Sequence, residues 1–216
     1  MKRFSAIALA LVLALSALCL AGCGDTPAKE ETVLTGEELF IGTWEMEYDF
    51  SHLITDAFKD YSDLFKDLKY VQPFTVTFSK DNAISQKIDW DKAEDMLKEL
   101  KTTYAEGYEK FVAALLESAG SDLTPDDYFA AKETTLEAEA DAFVEKIRSS
   151  LESAEGEGYY YINGDKYTVL SEEGEFKEDD CFVYERVSNN EIKIVKIISD
   201  TEESKLPAIP IILKRK

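Results

Sequence analysis

Histidine is nearly missing from this chain: His52 is the single one in 216 residues. A nucleophile–base–orienter system is therefore hard to assemble, and no Cys/His spacing suited to zinc is present. No glycine-rich phosphate loop appears, and no acidic run has EF-hand spacing with its required glycine. Pairs such as Asp126-Asp127, Glu172-Glu173 and Asp179-Asp180 are too common here to single out one site. The chain reads as a non-enzyme, with no metal and no cofactor. Basic residues are scarce too, 24 against 44 acidic ones, a net charge of −20. That balance argues against nucleic acid and against a face lying flat on anionic lipid.

One long apolar run is present, and it stands at the very start. "MKRFSAIALALVLALSALCLAGC" has a short basic region at Lys2-Arg3, an Ala/Leu-rich stretch, and small residues before a cysteine. This is the grammar of a secretory signal. Leu20-Ala21-Gly22-Cys23 resembles the lipobox of bacterial lipoproteins. The resemblance implies that residues 1–22 are a signal peptide, that cleavage falls before Cys23, and that Cys23 carries lipid. A retained transmembrane helix is the alternative, since the run is about long enough to span a bilayer. Either way the chain is attached to a cell membrane on its extracytoplasmic side. Loss of residues 1–22 would leave 22 basic and 44 acidic residues, a net charge of −22. Cys19 would leave with the signal, so Cys181 would have no intramolecular partner. The fold must then rest on its own core.

Residues 23–38 are polar and aperiodic and read as a lipidated tether. Beyond them, the barrel domain is expected over 39–216. Eight segments alternate apolar and polar or are rich in aromatic and β-branched residues: 42–50, 73–79, 83–90, 158–163, 166–171, 180–187, 191–198 and 208–214. The fourth and fifth are joined by Asn163-Gly164-Asp165, a strong hairpin signal because Asn-Gly tolerates positive φ. Pro207 and Pro210 make the start of the last strand irregular.

The links between these segments are sorted. The second–third, fourth–fifth and sixth–seventh are tight; the other four are long. An amphipathic helix at 52–70 fills the first link, with Leu53, Ala57, Tyr61, Leu64, Phe65 and Leu68 on one stripe. A helical hairpin at 91–155 fills the third. Its first helix covers 91–118, and its second starts at Thr124-Pro125 with Thr as N-cap and Pro at the first helical position. In an up-and-down meander alternate links share an end, so all tight turns fall at one end and every elaboration at the other. The expected class is mainly β with α insertions: an eight-stranded up-and-down antiparallel barrel with one plain end and one decorated mouth. A two-sheet sandwich also uses short alternating strands.

Gly42-Thr43-Trp44 resembles the Gly-x-Trp motif opening lipocalins and related calycin-type barrels. "YYYINGDKYTVL" and the closing "IILKR" resemble the lipocalin-like domains of bacterial lipoproteins. The resemblance covers 40–90 and 158–216, leaving the hairpin outside. It implies an arginine near the end of the last strand packed across the tryptophan, which places Arg215 on Trp44 at the barrel floor. Arg186 is the alternative partner.

Inward alternation assigns Met46, Tyr48, Phe50, Phe74, Val76, Phe78, Ile84, Gln86, Ile88, Tyr167 and Val169 to the lumen. That set suits a small apolar or amphipathic ligand; it would equally fill a small barrel solid. At least one of Tyr159, Tyr160 and Tyr161 should face inward. Two functions follow: a lipid-anchored protein that captures such a ligand, or an envelope interaction protein docking a partner protein through its acidic hairpin. The tether enters at the plain end, so that end is expected to face the membrane. The hairpin is expected to be either a satellite packed on itself or a lid on the mouth.

Overall fold

Alternation along the chain becomes one closed antiparallel sheet. The structure, a computed structural model, describes residues 32–216; residues 1–22 and Cys23 lie outside them. The strands are β1 (Gly42–Asp49), β2 (Val71–Phe78), β3 (Ala83–Ile88), β4 (Gly156–Asn163), β5 (Lys166–Leu170), β6 (Cys181–Ser188), β7 (Glu191–Ile198) and β8 (Ile211–Arg215). Each pairs with its sequence neighbour, and β8 returns to β1 through Trp44–Arg215, Glu45–Lys214 and Met46–Leu213. The barrel therefore follows the sorted links, and the sandwich is excluded.

Two prolines, each without a backbone donor, stand near strand boundaries. β2 begins at Val71 and takes in Pro73, which pairs with Glu47 on β1. Asp89 donates to the Pro73 carbonyl (3.0 Å), but Pro73 has no N–H to return. The Asp89 carbonyl instead accepts from Ala93 (2.9 Å), which opens the long helix that follows. Pro210 delays β8 to Ile211, although Ala208 already donates to the Asp49 carbonyl at 2.8 Å.

The helices are α1 (Glu37–Phe40), α2 (Ser51–Ala57), α3 (Trp90–Ser118), α4 (Pro125–Ala131) and α5 (Leu136–Ser153), with a 3₁₀ segment over Lys59–Phe65. Two expected helices are broken. The stripe over 52–70 stops at Ala57, Lys59 takes φ 45°, and the 3₁₀ segment lets Phe58 stack on Phe65 at 3.6 Å between centroids. The second hairpin helix ends at Ala131, Glu133 takes φ 56°, and α5 restarts with the Thr135 hydroxyl accepting from the Ala138 N–H. Thr134-Thr135 supplies a second N-cap signal inside what reads as one apolar stripe. Thr124 is the N-cap of α4 as expected, and it also forms a capping box with Asp127.

Aromatic rings tie the helices to one another within the core they share with the barrel. Tyr104 of α3 stacks on Phe143 of α5 at 3.9 Å, and Phe111 meets Phe58 edge-on at 5.3 Å. Gly107 allows the close approach: a Cβ there would lie 2.8 Å from both the Leu64 carbonyl oxygen and the Phe65 ring.

The compact unit runs from Leu34 to Lys216. The expected tether thus ends early, because the Leu34 N–H donates to Asn189 Oδ1 (3.0 Å) and Leu39 and Phe40 are buried. Among the described residues no helix is long and apolar enough to cross a membrane.

Candidate functional site: the barrel floor and lumen

The floor is built where β1 and β8 close. Trp44 is fully buried, and the Arg215 guanidinium lies 4.3 Å from its ring centroid. Arg215 also donates to three backbone carbonyls: Ile41 (2.7 Å), Leu39 (2.7 Å) and Asn189 (3.0 Å). The Trp44 indole N–H donates to the Phe40 carbonyl at 2.6 Å. Gly42 has φ 129°, and a Cβ there would lie 2.5 Å from Arg215 Nη1. The glycine of Gly-x-Trp thus leaves room for the arginine. Arg186 bonds Asn189 Oδ1 instead (2.8 Å).

Phe40 closes the floor from inside. Its ring meets Tyr184 at 4.8 Å, and Phe78 and Tyr167 at 5.1 Å each. Sequence alternation places no plug there, because Phe40 precedes the strand; its signal is a lone aromatic two residues before the Gly-x-Trp glycine.

Above the floor lies a cavity of about 330 Å³. Of the eleven residues assigned to the lumen, Met46, Tyr48, Val76, Phe78, Ile84, Gln86, Tyr167 and Val169 line it. Phe74 and Ile88 are buried in the surrounding core and do not reach it, and Phe74 packs edge-on against Tyr48 at 5.3 Å. Phe50 lines a separate cavity of about 170 Å³, whose wall shares Tyr48 and Phe182 with the larger one. Val169 is 39% exposed and stands at the rim.

Two glycines that alternation passes over hollow the lumen. Gly156 pairs with Gln86 and Gly158 with Ile84, so both occupy inward positions opposite cavity residues. Nothing lies within 4 Å of where a Gly156 Cβ would stand, whereas a Cβ on Gly158 would collide with the Leu170 carbonyl. The signal was available: in "GEGYYYIN" the inward set reads Gly, Gly, Tyr, Ile. The wall is also thin nearby, because β5 and β6 pair only at Lys166–Val183 and Tyr167–Phe182. Ser171 and Leu170 at the end of β5 and Phe182 on β6 complete that side.

Polar groups in the cavity are few. Gln86 Nε2 donates to the Ala154 carbonyl (3.1 Å). Of the three successive tyrosines Tyr160 faces inward, but its hydroxyl donates to the Ser79 carbonyl (2.9 Å) and burial pushes its pKa to about 12. Tyr48 and Tyr167 differ: among the described residues neither hydroxyl has a hydrogen-bond partner. No side-chain oxygen or nitrogen among those residues is both fully enclosed and unpartnered. These two oxygens therefore open onto free space, and both tyrosines line the cavity. Burial pushes both phenols upward, and the Tyr48 charge would add to the effect at Tyr167.

The hairpin reaches the cavity by its stem. Ala154, just after α5, lines the rim, and the Glu155 carboxylate accepts from the Ile88 N–H (3.0 Å). α3 packs on the 3₁₀ segment, α4, α5 and β2. Cys181 is buried, its thiol directed at the Glu178 carbonyl (3.5 Å) and pushed upward by burial, so it is a poor nucleophile. His52 is the second residue of α2, away from the lumen residues. Among the described residues no group of three or more His, Cys, Asp or Glu side chains could hold a metal ion.

What fold and site define is a closed eight-stranded up-and-down barrel with helical insertions and a mostly apolar lumen cavity. Comparison with protein-family models, with curated proteins and with solved structures finds no match.

Proposed function

We propose that the chain is a membrane-anchored extracytoplasmic lipoprotein whose lipocalin-like barrel binds a small apolar or amphipathic molecule. One observation carries the binding reading: the lumen holds a cavity of about 330 Å³ instead of being filled by side chains. Its size falls at the small end of ligand sites, roughly 300–1,000 Å³, and its lining matches their mostly apolar character. The Gly-x-Trp and Arg215 floor supports the lipocalin-like assignment.

The anchoring half rests on the signal and Leu20-Ala21-Gly22-Cys23. Two or more acyl chains on Cys23 would hold the chain stably at the membrane. The chain enters the compact unit at the floor, where Leu34 bonds Asn189. That supports an orientation with the floor toward the membrane and the mouth outward. Docking of a partner protein by the acidic hairpin gains less support, since a filled lumen would have been its best argument.

Native mass spectrometry of the full chain from its own envelope tests the binding half. A retained small molecule that dissociates on unfolding is the expected result; a bare protein at every preparation counts against it. Cys23→Ser tests the anchor: the chain should leave the membrane fraction and lose its acyl mass.

A further inference from the structure

We infer that the cavity selects an uncharged ligand whose polar end accepts hydrogen bonds from Tyr48 and Tyr167, such as a ketone, ester or alcohol, in preference to a carboxylate. This rests on the reading of the lumen as a ligand site. Four observations carry it.

Both hydroxyls lack a partner among the described residues, although Tyr167 is only 3% exposed. Each hydroxyl opens into a mostly apolar cavity, and a ligand acceptor placed there would give it a partner. Second, their rings are fixed, so the hydroxyls are held in place. Tyr167 stacks on Phe182 at 4.9 Å and Tyr48 meets Phe74 at 5.3 Å. Third, burial keeps both phenols protonated at neutral pH, so each is a donor. Fourth, no Lys or Arg is among the described residues lining the cavity, and its one acidic lining residue, Glu157, stands between the inward Gly156 and Gly158 and turns its side chain outward. An anionic head would be stripped of water with no cation to meet it, within a strongly acidic protein. The apolar remainder of the ligand would lie along Met46, Val76 and Ile84.

The test displaces phenylnaphthylamine, a neutral dye, from the full chain with decanol, decanone and decanoate at a pH where decanoate is ionised. Chain length is constant, so the head group decides. Decanol and decanone should bind about tenfold or more tighter than decanoate, whose carboxylate can accept from the same phenols but must give up its water with no cation to meet it. Tyr48→Phe and Tyr167→Phe keep the rings; each should weaken decanone several-fold, with melting temperature recorded as a folding control. Decanoate binding equal to or tighter than decanone overturns the head-group inference and leaves the ligand site standing. Unchanged decanone affinity in both variants overturns the role of the phenols. Failure of all three to bind overturns the ligand-site reading itself.

Discussion

Arg215 lies over Trp44 at 4.3 Å and hands its three nitrogens to the carbonyls of Leu39, Ile41 and Asn189. One side chain thus ties the last strand, the segment before the first strand and the β6–β7 turn together at the point of barrel closure.

Removing it should loosen all three at once. Charged hydrogen bonds contribute about 1.5–3 kcal/mol each and a cation–π contact about 0.5–2, without strict additivity. Arg215→Met is expected to cost about 3 kcal/mol, a fall in Tm of roughly 6–12 °C for a chain of this size. Arg215→Lys should recover little, since an ammonium cannot span the same carbonyls. Thermal denaturation followed by circular dichroism reads the result; a Tm within a degree or two of wild type would remove the floor from the account.

Gly42 and Gly107 both permit close approach, by different means. At Gly42 the backbone itself is at φ 129°, and Gly42→Ala also meets Arg215. A loss of about 1–3 kcal/mol is expected. At Gly107 the sign is the informative part. Glycine to alanine inside a helix ordinarily stabilises by about 1 kcal/mol. Gly107→Ala should instead destabilise by about 1–3 kcal/mol, because its Cβ meets the Leu64 carbonyl and the Phe65 ring at 2.8 Å. Urea titration distinguishes the two signs.

Stability should fall in alkali. Tyr104 and Tyr160 are both raised from 10.0 to about 12, chiefly by burial, and Tyr48 and Tyr167 are raised as well. These acids keep their protons when folded and lose them more readily when unfolded. Their contribution is therefore whole below pH 10 and is lost as pH rises from 10 toward 12 and beyond. Ultraviolet titration should show these phenolates emerging late and together with unfolding. Ionisation of every tyrosine near pH 10 in a still-folded chain would contradict the buried phenols.

Much of this was readable because period-two alternation and link length are local properties that closure only has to respect. β7 runs over Glu191–Ile198, the span its alternation marks, and Trp44 and Arg215 face each other because closure makes the first and last strands neighbours. The unread parts are those set by tertiary packing. Lys59 breaks an amphipathic stripe that looks continuous, since Phe58 gains a stacked partner in Phe65. Phe40 plugs the floor from outside any strand. Counting bulky inward residues also could not reveal whether the lumen is open; the deciding positions, Gly156 and Gly158, carry no side chain at all.

Gly156 gives the most direct test of the central claim that the lumen is a binding site. A side chain there meets no atom within 4 Å of its Cβ and stands opposite Gln86, on the cavity side of β4. Phenylnaphthylamine is titrated into wild type and Gly156→Phe, with melting temperature measured on both. The account predicts saturable binding to wild type at one site, and loss of most of that binding in a variant that melts like wild type. Equal binding by the two proteins, or no saturable binding by wild type, would contradict it.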